Sequence, residues 1–266
     1  MPDADRQAGA VTLLLLLIVA LAGCGPSRAE IQEREDQARY HYDLAYGYFF
    51  DAQNQQGEQA LVEIARSLEL NEKNPDANLL AGLVFQGHGR YLDAVRHYQR
   101  ALELNPELYY ARNNLGTAFL ALERWDDAIA TLTPLSLEIR YDQKGHVQNN
   151  LGWAFFKKGD SLKARDHFYK AISQAPKLCP AFNNLGILLI EADELPKAEK
   201  ILRQGLQICP TNYAEPWFHL GRVQLRQGDP KGAEQSFKQC LKFGGMSSLA
   251  DRCEQQLRPL AVGEAR

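Results

Sequence analysis

Three pairs of adjacent asparagines are the residues of this sequence best suited to binding chemistry. The tetrapeptide NNLG begins at Asn113, at Asn149 and at Asn183. A side-chain amide carries both a donor and an acceptor, so a row of amides can bind the backbone of an extended peptide with little regard to its side chains. The alternative is that these amides bond to one another between repeats. Either role requires structural elements that place the asparagines at regular intervals.

Other residues offer little catalytic chemistry. The six histidines have no metal-ligand spacing, and the sequence contains no zinc-protease, serine-hydrolase, phosphate-loop or dinucleotide-binding fingerprint. A hydrophobic content of 45% and a formal charge of −3 indicate a globular chain without the basic excess that favours nucleic acid. We therefore expect a protein that is not an enzyme and that takes no cofactor, metal, nucleic acid or small-molecule substrate.

A long repeat places the asparagines. Glycines that follow Leu or Ala recur every 34 to 36 residues, and an alanine follows each glycine by twelve residues. Such a period indicates a stacked array. We expect these small residues to lie where the two helices of a repeat cross closely. The glycines are Gly82, Gly116, Gly152, Gly186 and Gly221, and the alanines are Ala94, Ala128, Ala164, Ala198 and Ala233.

Turn and capping signals separate the two helices of each repeat. Gly159 and Gly228 mark turns, Asp160 and Asp229 follow them as candidate N-caps, and Pro230 suits a first helical position. The period, the glycine-to-alanine spacing and the prolines after the repeats resemble the tetratricopeptide repeat over about residues 38–245. The resemblance implies an all-α fold, a right-handed α-solenoid of about six helix pairs.

Two irregularities are expected in this array. The first repeat is degenerate, and a last helix at about residues 247–257 would cover the open end of the stack, as solenoids require. Pro134 falls inside the second helix of the third repeat, where we expect a kinked or shortened helix.

The start of the chain has the pattern of a lipoprotein signal. The apolar run from Val11 to Ala22 is too short to span a bilayer and is typical of a signal peptide. The sequence LAGC resembles a lipobox with Cys24 as the lipidated residue, and Gly25 in place of Asp implies the periplasmic side of the outer membrane. The alternative is an ordinary secretory signal with an incidental cysteine. The expected domains are a signal peptide (1–23), a lipidated linker (24–37), the repeats with their cap (38–257) and a tail (258–266).

Four further cysteines lie in the last two repeats. Cys179 begins the first helix of repeat five and Cys209 ends its second, and antiparallel neighbours bring those two ends together. Cys240 lies on the last second helix and Cys253 on the cap that packs against it. We predict two disulfides, which a periplasmic location permits. Buried free thiols are the alternative, and zinc ligation lacks the usual CxxC pair.

Helical periodicity separates the roles of the two asparagines. The second Asn of each NNLG points toward the inner face of the stack, whereas the first lies nearer the flank and is predicted to be structural. Trp153, on the inner face beside Asn150, is a hot-spot candidate, with burial against the adjacent repeat as the alternative. The same register gives the full predicted partner-binding surface: Tyr46, Phe50, Leu80, Leu83, Tyr110, Asn114, Asn150, Trp153, Lys157, Asn184, Ile187, His219 and Arg222.

Two more expectations concern the ends of this surface. It runs from apolar residues through amides to basic ones, with Arg226 continuing the basic end. The first helix carries several aromatic residues that a single neighbour cannot bury, so some should be available to a partner. Because this helix should begin about 15 residues from the lipid, its rings should lie near the membrane.

The combination of a lipobox, six repeats and the segment VQNNLGWAFFKKGD resembles the type IV pilus biogenesis lipoproteins of the PilF/PilW and Tgl pilotin family. The resemblance implies a non-enzymatic outer-membrane lipoprotein that binds subunits of the type IV pilus secretin and promotes their multimerisation. A general periplasmic adaptor lipoprotein, serving envelope or peptidoglycan assembly, would carry the same repeats and remains the alternative.

Overall fold

The computed structural model describes residues 26–50, 57–209 and 213–263. In these ranges the chain forms thirteen α-helices and no strand. The expected signal peptide and Cys24 lie outside the described residues. None of the described helices is long and apolar enough to cross a membrane. Contacts divide the chain into two compact units, Met1–Val84 and Phe85–Arg266, and the boundary falls within the third helix.

The first unit contains α1 (Arg28–Phe50), α2 (Gly57–Leu70) and most of α3 (Pro75–Gly87). Helix α1 begins ten residues before the expected start of the repeats because Ser27 and Glu30 form a capping box. The Ser27 N–H donates to Glu30 Oε2 at 2.6 Å, and the Glu30 N–H donates to Ser27 Oγ at 3.2 Å. The segment expected to be a linker is therefore helical from Arg28 onward.

Helices α1 and α2 pack through small and polar side chains. Ala38 and Ala45 are buried, and Ser67 Oγ donates to the Ala38 carbonyl at 2.8 Å. His41 Nδ1 lies 2.6 Å from Glu63 Oε2. Because the contact uses alanines and hydrogen bonds, it leaves several aromatic rings of α1 outside the core.

The second unit is a stack of paired helices. Consecutive helices contact one another, and the first helices α5, α7, α9 and α11 also approach each other in series, whereas the backbones of successive second helices do not approach closely in the described part of this unit. The first helices therefore lie on the inner side of the stack, as the predicted α-solenoid requires. Its helices are α4 (Tyr91–Leu104), α5 (Tyr109–Ala121), α6 (Trp125–Leu137), α7 (Lys144–Lys157), α8 (Ser161–Gln174), α9 (Cys179–Glu191), α10 (Leu195–Ile208), α11 (Glu215–Arg226), α12 (Pro230–Gly244) and the cap α13 (Ser248–Gly263).

The repeated glycines allow close approach of the paired helices. A Cβ atom added at Gly152 would lie 2.6 Å from the Phe168 ring, and one at Gly221 would lie 2.7 Å from the Phe237 ring. The contacted residue lies sixteen positions after the glycine, not twelve as the glycine-to-alanine spacing suggested. The alanines are fully buried, but a large side chain fills the space that each glycine leaves. The same contact pairs Gly116 with Leu132 and Gly186 with Leu202.

In repeats two to six, the turn between the two helices has a left-handed residue seven positions after the repeated glycine. Glycine occupies this position at Gly89, Gly159 and Gly228, with φ of 72°, 85° and 79°. Glu123 and Asp193 adopt the same conformation with φ of 57° and 59°. The backbone geometry is thus kept even where the residue type does not favour it.

Both predicted N-caps are confirmed. Asp160 accepts a hydrogen bond from the Lys163 N–H at 3.1 Å, and Asp229 accepts one from the Gly232 N–H at 2.9 Å. These carboxylates satisfy amides that have no partner inside the helix. Pro230 is the first residue of α12, also as predicted.

Two helix ends differ from the regular pattern. Helix α6 runs through Pro134 and ends three residues later at Leu137, so it has 13 residues where α4, α8 and α10 have 14. Proline cannot donate the backbone hydrogen bond that would continue the ladder. The cap α13 extends to Gly263, beyond the expected end at Leu257, and so includes most of the expected tail.

Candidate protein-binding surface

The NNLG asparagines link successive first helices. Asn150 Nδ2 donates to Asn113 Oδ1 at 3.5 Å, and Asn184 Nδ2 donates to Asn149 Oδ1 at 3.0 Å. The second asparagine of one repeat thus bonds the first asparagine of the preceding repeat, which is the alternative that the sequence left open. We call these two bonds the asparagine rungs.

Asn150 and Asn184 use only their Nδ2 groups in the rungs. Asn114, Asn150 and Asn184 are half-buried. Within the described chain, no hydrogen bond is donated to Oδ1 of Asn150 or Asn184. These oxygens can still accept a hydrogen bond from a ligand, so the amides serve the stack with their nitrogen and offer their oxygen.

The series of rungs stops at the last repeat. The register that joins Asn113 to Asn150 and Asn149 to Asn184 would next join Asn183 to His219. Asn183 Oδ1 and His219 Nδ1 are both buried, and neither has a partner among the described residues. Burial, together with the nearby Arg222 and Arg252, lowers the pKa of His219 to about 4, so this imidazole is neutral at physiological pH.

Trp153 lies at the centre of the inner face with one side packed. Its ring is half-buried, contacts Phe156 at a centroid distance of 5.4 Å and packs against the core cluster around Leu188. Trp153 is therefore partly exposed, as expected of a binding residue, and partly buried, as the alternative proposed. Lys157 Nζ lies 5.8 Å from the ring centroids of both Trp153 and Trp125, and this lysine is exposed. The centre of the surface thus combines an open cation with partly open indole rings.

Tyr110 is the first residue of the predicted binding surface in the second unit. Its ring is 50% exposed and lies 5.5 Å from the ring of Tyr141. The Tyr110 hydroxyl donates to Asp142 Oδ1 at 3.2 Å, and this hydrogen bond raises the pKa of Tyr110. Ile187, farther along the same face, is half-buried. An aromatic and polar edge is therefore available to a partner.

The predicted surface residues of the first unit divide into two groups. Tyr46 and Phe50 are 48% and 55% exposed, and their ring centroids are 4.4 Å apart. Leu80 is only 2% exposed, so its assignment to the binding surface is wrong. An apolar side chain gains free energy by burial, whereas an amide in the equivalent register, such as Asn114, stays half-exposed. Leu83 is half-buried.

The basic end of the surface differs from the one read in the sequence. Arg226 donates to the Ile190 carbonyl at 2.8 Å and to Asp193 Oδ1 at 2.7 Å, so it ties α11 to the turn after α9. Arg222 remains on the inner face and is half-buried. Sequence reasoning missed Arg252 of the cap, whose guanidinium lies 4.2 Å from the Phe218 ring centroid. The only signal for Arg252 is a cation on the cap helix with no acid three or four positions away in that helix.

Both predicted disulfides are present. Cys179 and Cys209 are bonded with a Cα separation of 5.6 Å, and Cys240 and Cys253 with one of 6.2 Å. The first bond joins the start of α9 to the end of α10, and the second joins α12 to the cap. The alternative of free thiols is not realised.

The geometry of glycine contacts, left-handed turns and stacked first helices agrees with comparisons to known proteins. The tetratricopeptide repeat family matches residues 79–133, 145–178 and 214–243. The chain thus contains tetratricopeptide repeats in these three segments.

Similar proteins include two that belong to type IV pilus biogenesis. The type IV pilus assembly protein PilF of Pseudomonas aeruginosa is 28% identical over 165 residues, which is 60% of this chain and 64% of PilF, so the match spans less than two thirds of that relative. A solved structure of Pseudomonas aeruginosa PilF has a TM-score of 0.68 at 20% identity and covers 84% of this chain and 99% of PilF. The structure of PilW, described as a widely conserved type IV pilus biogenesis factor, has a TM-score of 0.69 at 20% identity and covers 81% of this chain and 97% of PilW. At this identity the structural matches establish the fold.

Proposed function

We propose that this tetratricopeptide repeat protein is a non-enzymatic factor of type IV pilus biogenesis. The main support is its similarity to PilF, which extends from sequence to a fold match over 99% of the solved PilF chain. The similarity to PilW, another type IV pilus biogenesis protein, supports the same proposal. A scaffold role fits a surface of amides, indoles and cations that offers contacts for a polypeptide.

The finer part of the proposal concerns location and partner. The protein is anchored through lipid on Cys24 at the periplasmic side of the outer membrane, where it binds secretin subunits and promotes their multimerisation. The LAGC sequence supports the lipid. Two disulfides in one chain support an oxidising compartment such as the periplasm.

The inner face can bind an extended segment of a secretin subunit. Packed helices lie roughly 8–10 Å apart, and an extended chain rises about 3.3 Å per residue, so one rung would meet about every third residue of the ligand. The free Oδ1 atoms of Asn150 and Asn184 would accept backbone N–H groups. Trp153 and Lys157, between and beside the rungs, would supply the apolar and charged contacts that hold a chosen sequence.

Secretin oligomers resistant to heat in detergent provide the direct test of the function. A clean deletion of the gene should abolish these oligomers and surface pili. Cys24→Ala should leave the protein folded but unanchored and should reduce the oligomers strongly. Normal oligomers in the deletion strain would refute the role in secretin assembly, and normal membrane association of Cys24→Ala would refute the anchor.

A second experiment separates the binding surface from the fold. Trp153→Ala should reduce oligomers and weaken binding of a purified secretin fragment by about tenfold or more, because a central aromatic contact is worth about 2 kcal/mol. Leu162→Ala is the matched control, since Leu162 is exposed on the outer helix α8. Equal effects of the two variants would place the secretin contact elsewhere.

A further inference from the structure

Two arginines at the end of the second unit have no ion-pair partner among the described residues. Arg222 of α11 and Arg252 of the cap donate to no carboxylate or carbonyl of the described chain. Every other arginine of the described second unit donates to a carboxylate or to a backbone carbonyl. The lack of a partner is therefore a property of this place and not of the arginines in general.

The sequence explains why neither helix neutralises its own arginine. Acids three or four positions away pair with many other cations of this protein, as Asp93 does with Arg90 and Arg96. The positions three and four residues from Arg222 and Arg252 contain no acid; around Arg222 they are Phe218, His219, Leu225 and Arg226, and around Arg252 they are Ser248, Leu249, Gln255 and Gln256.

The two guanidinium groups converge on one buried ring. The Arg252 Cζ lies 4.2 Å and the Arg222 Cζ 5.9 Å from the Phe218 ring centroid, so the two charges lie within about 10 Å of each other. The positive charges of both arginines help to lower the pKa of His219, which lies beside Phe218 and is neutral. Phe218 is buried and Arg222 is half-buried, whereas Arg252 is exposed, so the charge of Arg222 is partly shielded from solvent and that of Arg252 is open to a ligand.

We propose that Arg222 and Arg252 form a binding site for the side-chain carboxylates of an acidic, extended segment of a partner protein. Guanidinium groups bind carboxylates with two parallel hydrogen bonds, which adds geometric selectivity to the charge attraction. Arg222 lies on the same face as Asn150 and Asn184, so a segment bound along that face would continue onto the arginine pair. The inference rests on the proposed function only in taking the inner face as a polypeptide-binding surface.

Fluorescence anisotropy with synthetic peptides tests this site in solution. The full mature chain is titrated into a labelled, C-terminally amidated peptide in which Glu alternates with Gly and Ser. Matched probes replace every Glu by Gln, with the C-terminus either amidated or free. Binding of the Glu peptide, weakening as salt is raised, is expected, whereas both Gln peptides should bind at least about tenfold more weakly.

Substitutions assign the binding to the arginine pair. Arg252→Gln and Arg222→Gln should each weaken the Glu peptide by about tenfold, and Arg222→Lys, which keeps the charge but loses the planar fork, by less. Arg258→Gln is the matched control, because Arg258 is an exposed arginine of the same cap helix that pairs with Glu254. Circular dichroism melting of each variant shows that the fold is retained.

Several outcomes would overturn the site. These are equal binding of the Glu and amidated Gln peptides, tight binding of the Gln peptide that requires its free C-terminus, and an effect of Arg258→Gln as large as that of Arg252→Gln. Because the assay contains no secretin, its failure leaves the secretin test intact. Conversely, peptide binding with normal secretin oligomers in the deletion strain would refute only the proposed function.

Discussion

The middle repeats and the last repeats of the second unit are held together by different means. Repeats three to five are linked by the asparagine rungs, Asn150 to Asn113 and Asn184 to Asn149. Between repeats five and six the equivalent residues, Asn183 and His219, make no bond to each other. One disulfide lies within repeat five, and the other joins repeat six to the cap. Each repeat of a solenoid contacts only its neighbours, so the last repeat is stabilised by fewer contacts than a middle repeat. Each disulfide thus lies on one side of the interface at which the rung is absent, and neither crosses it.

Of the substitutions that test this comparison, removal of the disulfides should change the free energy of unfolding most. Cys179→Ala with Cys209→Ala, and Cys240→Ala with Cys253→Ala, should each lower the free energy of unfolding by about 3–4 kcal/mol, given loops of 30 and 13 residues. Hydrogen exchange should show the loss in α9 to α13, with α5 to α8 protected nearly as before. Uniform loss of protection along the unit would mean that the two regions are one cooperative block.

Acid should destabilise the last repeat through His219. Its folded pKa of about 4 lies below the unfolded value near 6.5, so the unfolded state takes up the proton first as the pH falls. Stability should therefore decrease from pH 7 toward pH 4, by at most about 3 kcal/mol from this group. Urea denaturation of wild type and His219→Gln at pH 7 and pH 5 measures the effect.

A second buried histidine sharpens the same test. His167 of α8 also has a pKa lowered by burial, but its Nδ1 lies 2.7 Å from Gln148 Oε1. Some pH dependence should therefore remain in His219→Gln. An unchanged pH dependence in that variant would show that His219 does not govern the acid response.

The asparagine rungs can be compared directly by substitution. Asn149→Ala removes the acceptor of a 3.0 Å bond and leaves the Asn184 amide without its partner, which should cost about 1–2 kcal/mol. Asn183→Ala removes an oxygen that has no partner in the described chain, so it should cost clearly less. Thermal unfolding of the two variants gives the difference, and equal costs would mean that the rung contributes no stability.

The smallest expected effects concern the turns. Gly159→Ala places a Cβ on a left-handed residue with open space around it, so only the backbone cost of about 1 kcal/mol is expected. Glu123→Gly relieves the same conformation and should stabilise by about 0.5–1 kcal/mol. Urea midpoints check both signs. A loss of stability in Glu123→Gly would show that the glutamate side chain offsets its backbone strain.

The repeat architecture could be predicted because each signal is local. The period of the glycines, the caps at Asp160 and Asp229 and the cysteine positions at helix ends all follow from spacing within one or two helices. Even the pairing of four cysteines followed from the antiparallel arrangement of neighbouring helices.

The details of the binding surface could not be predicted in the same way. Whether Asn150 faces a ligand or a neighbouring repeat depends on a contact between helices 37 residues apart. Leu80 shares a register with Asn114 but is buried, because the environment and not the register decides exposure. Arg226 lies one helical turn after Arg222 on the same helix, yet it donates to the Ile190 carbonyl and to Asp193 of the preceding repeat.

The early start of α1 changes the reach of the protein from its proposed anchor. With lipid on Cys24, only residues 25–27 precede the helix, which permits a tether of about 14 Å at full extension. The helix then rises about 1.5 Å per residue, so Tyr46 lies roughly 27 Å along its axis from Arg28. With this proposed anchor, the exposed ring of Tyr46 would lie at most about 40 Å from the lipid and that of Phe50 one helical turn farther, and both would lie close to the bilayer if the helix lies along it. Helix α1 would then act as a rigid spacer that sets the greatest distance from the bilayer surface at which those rings meet a partner.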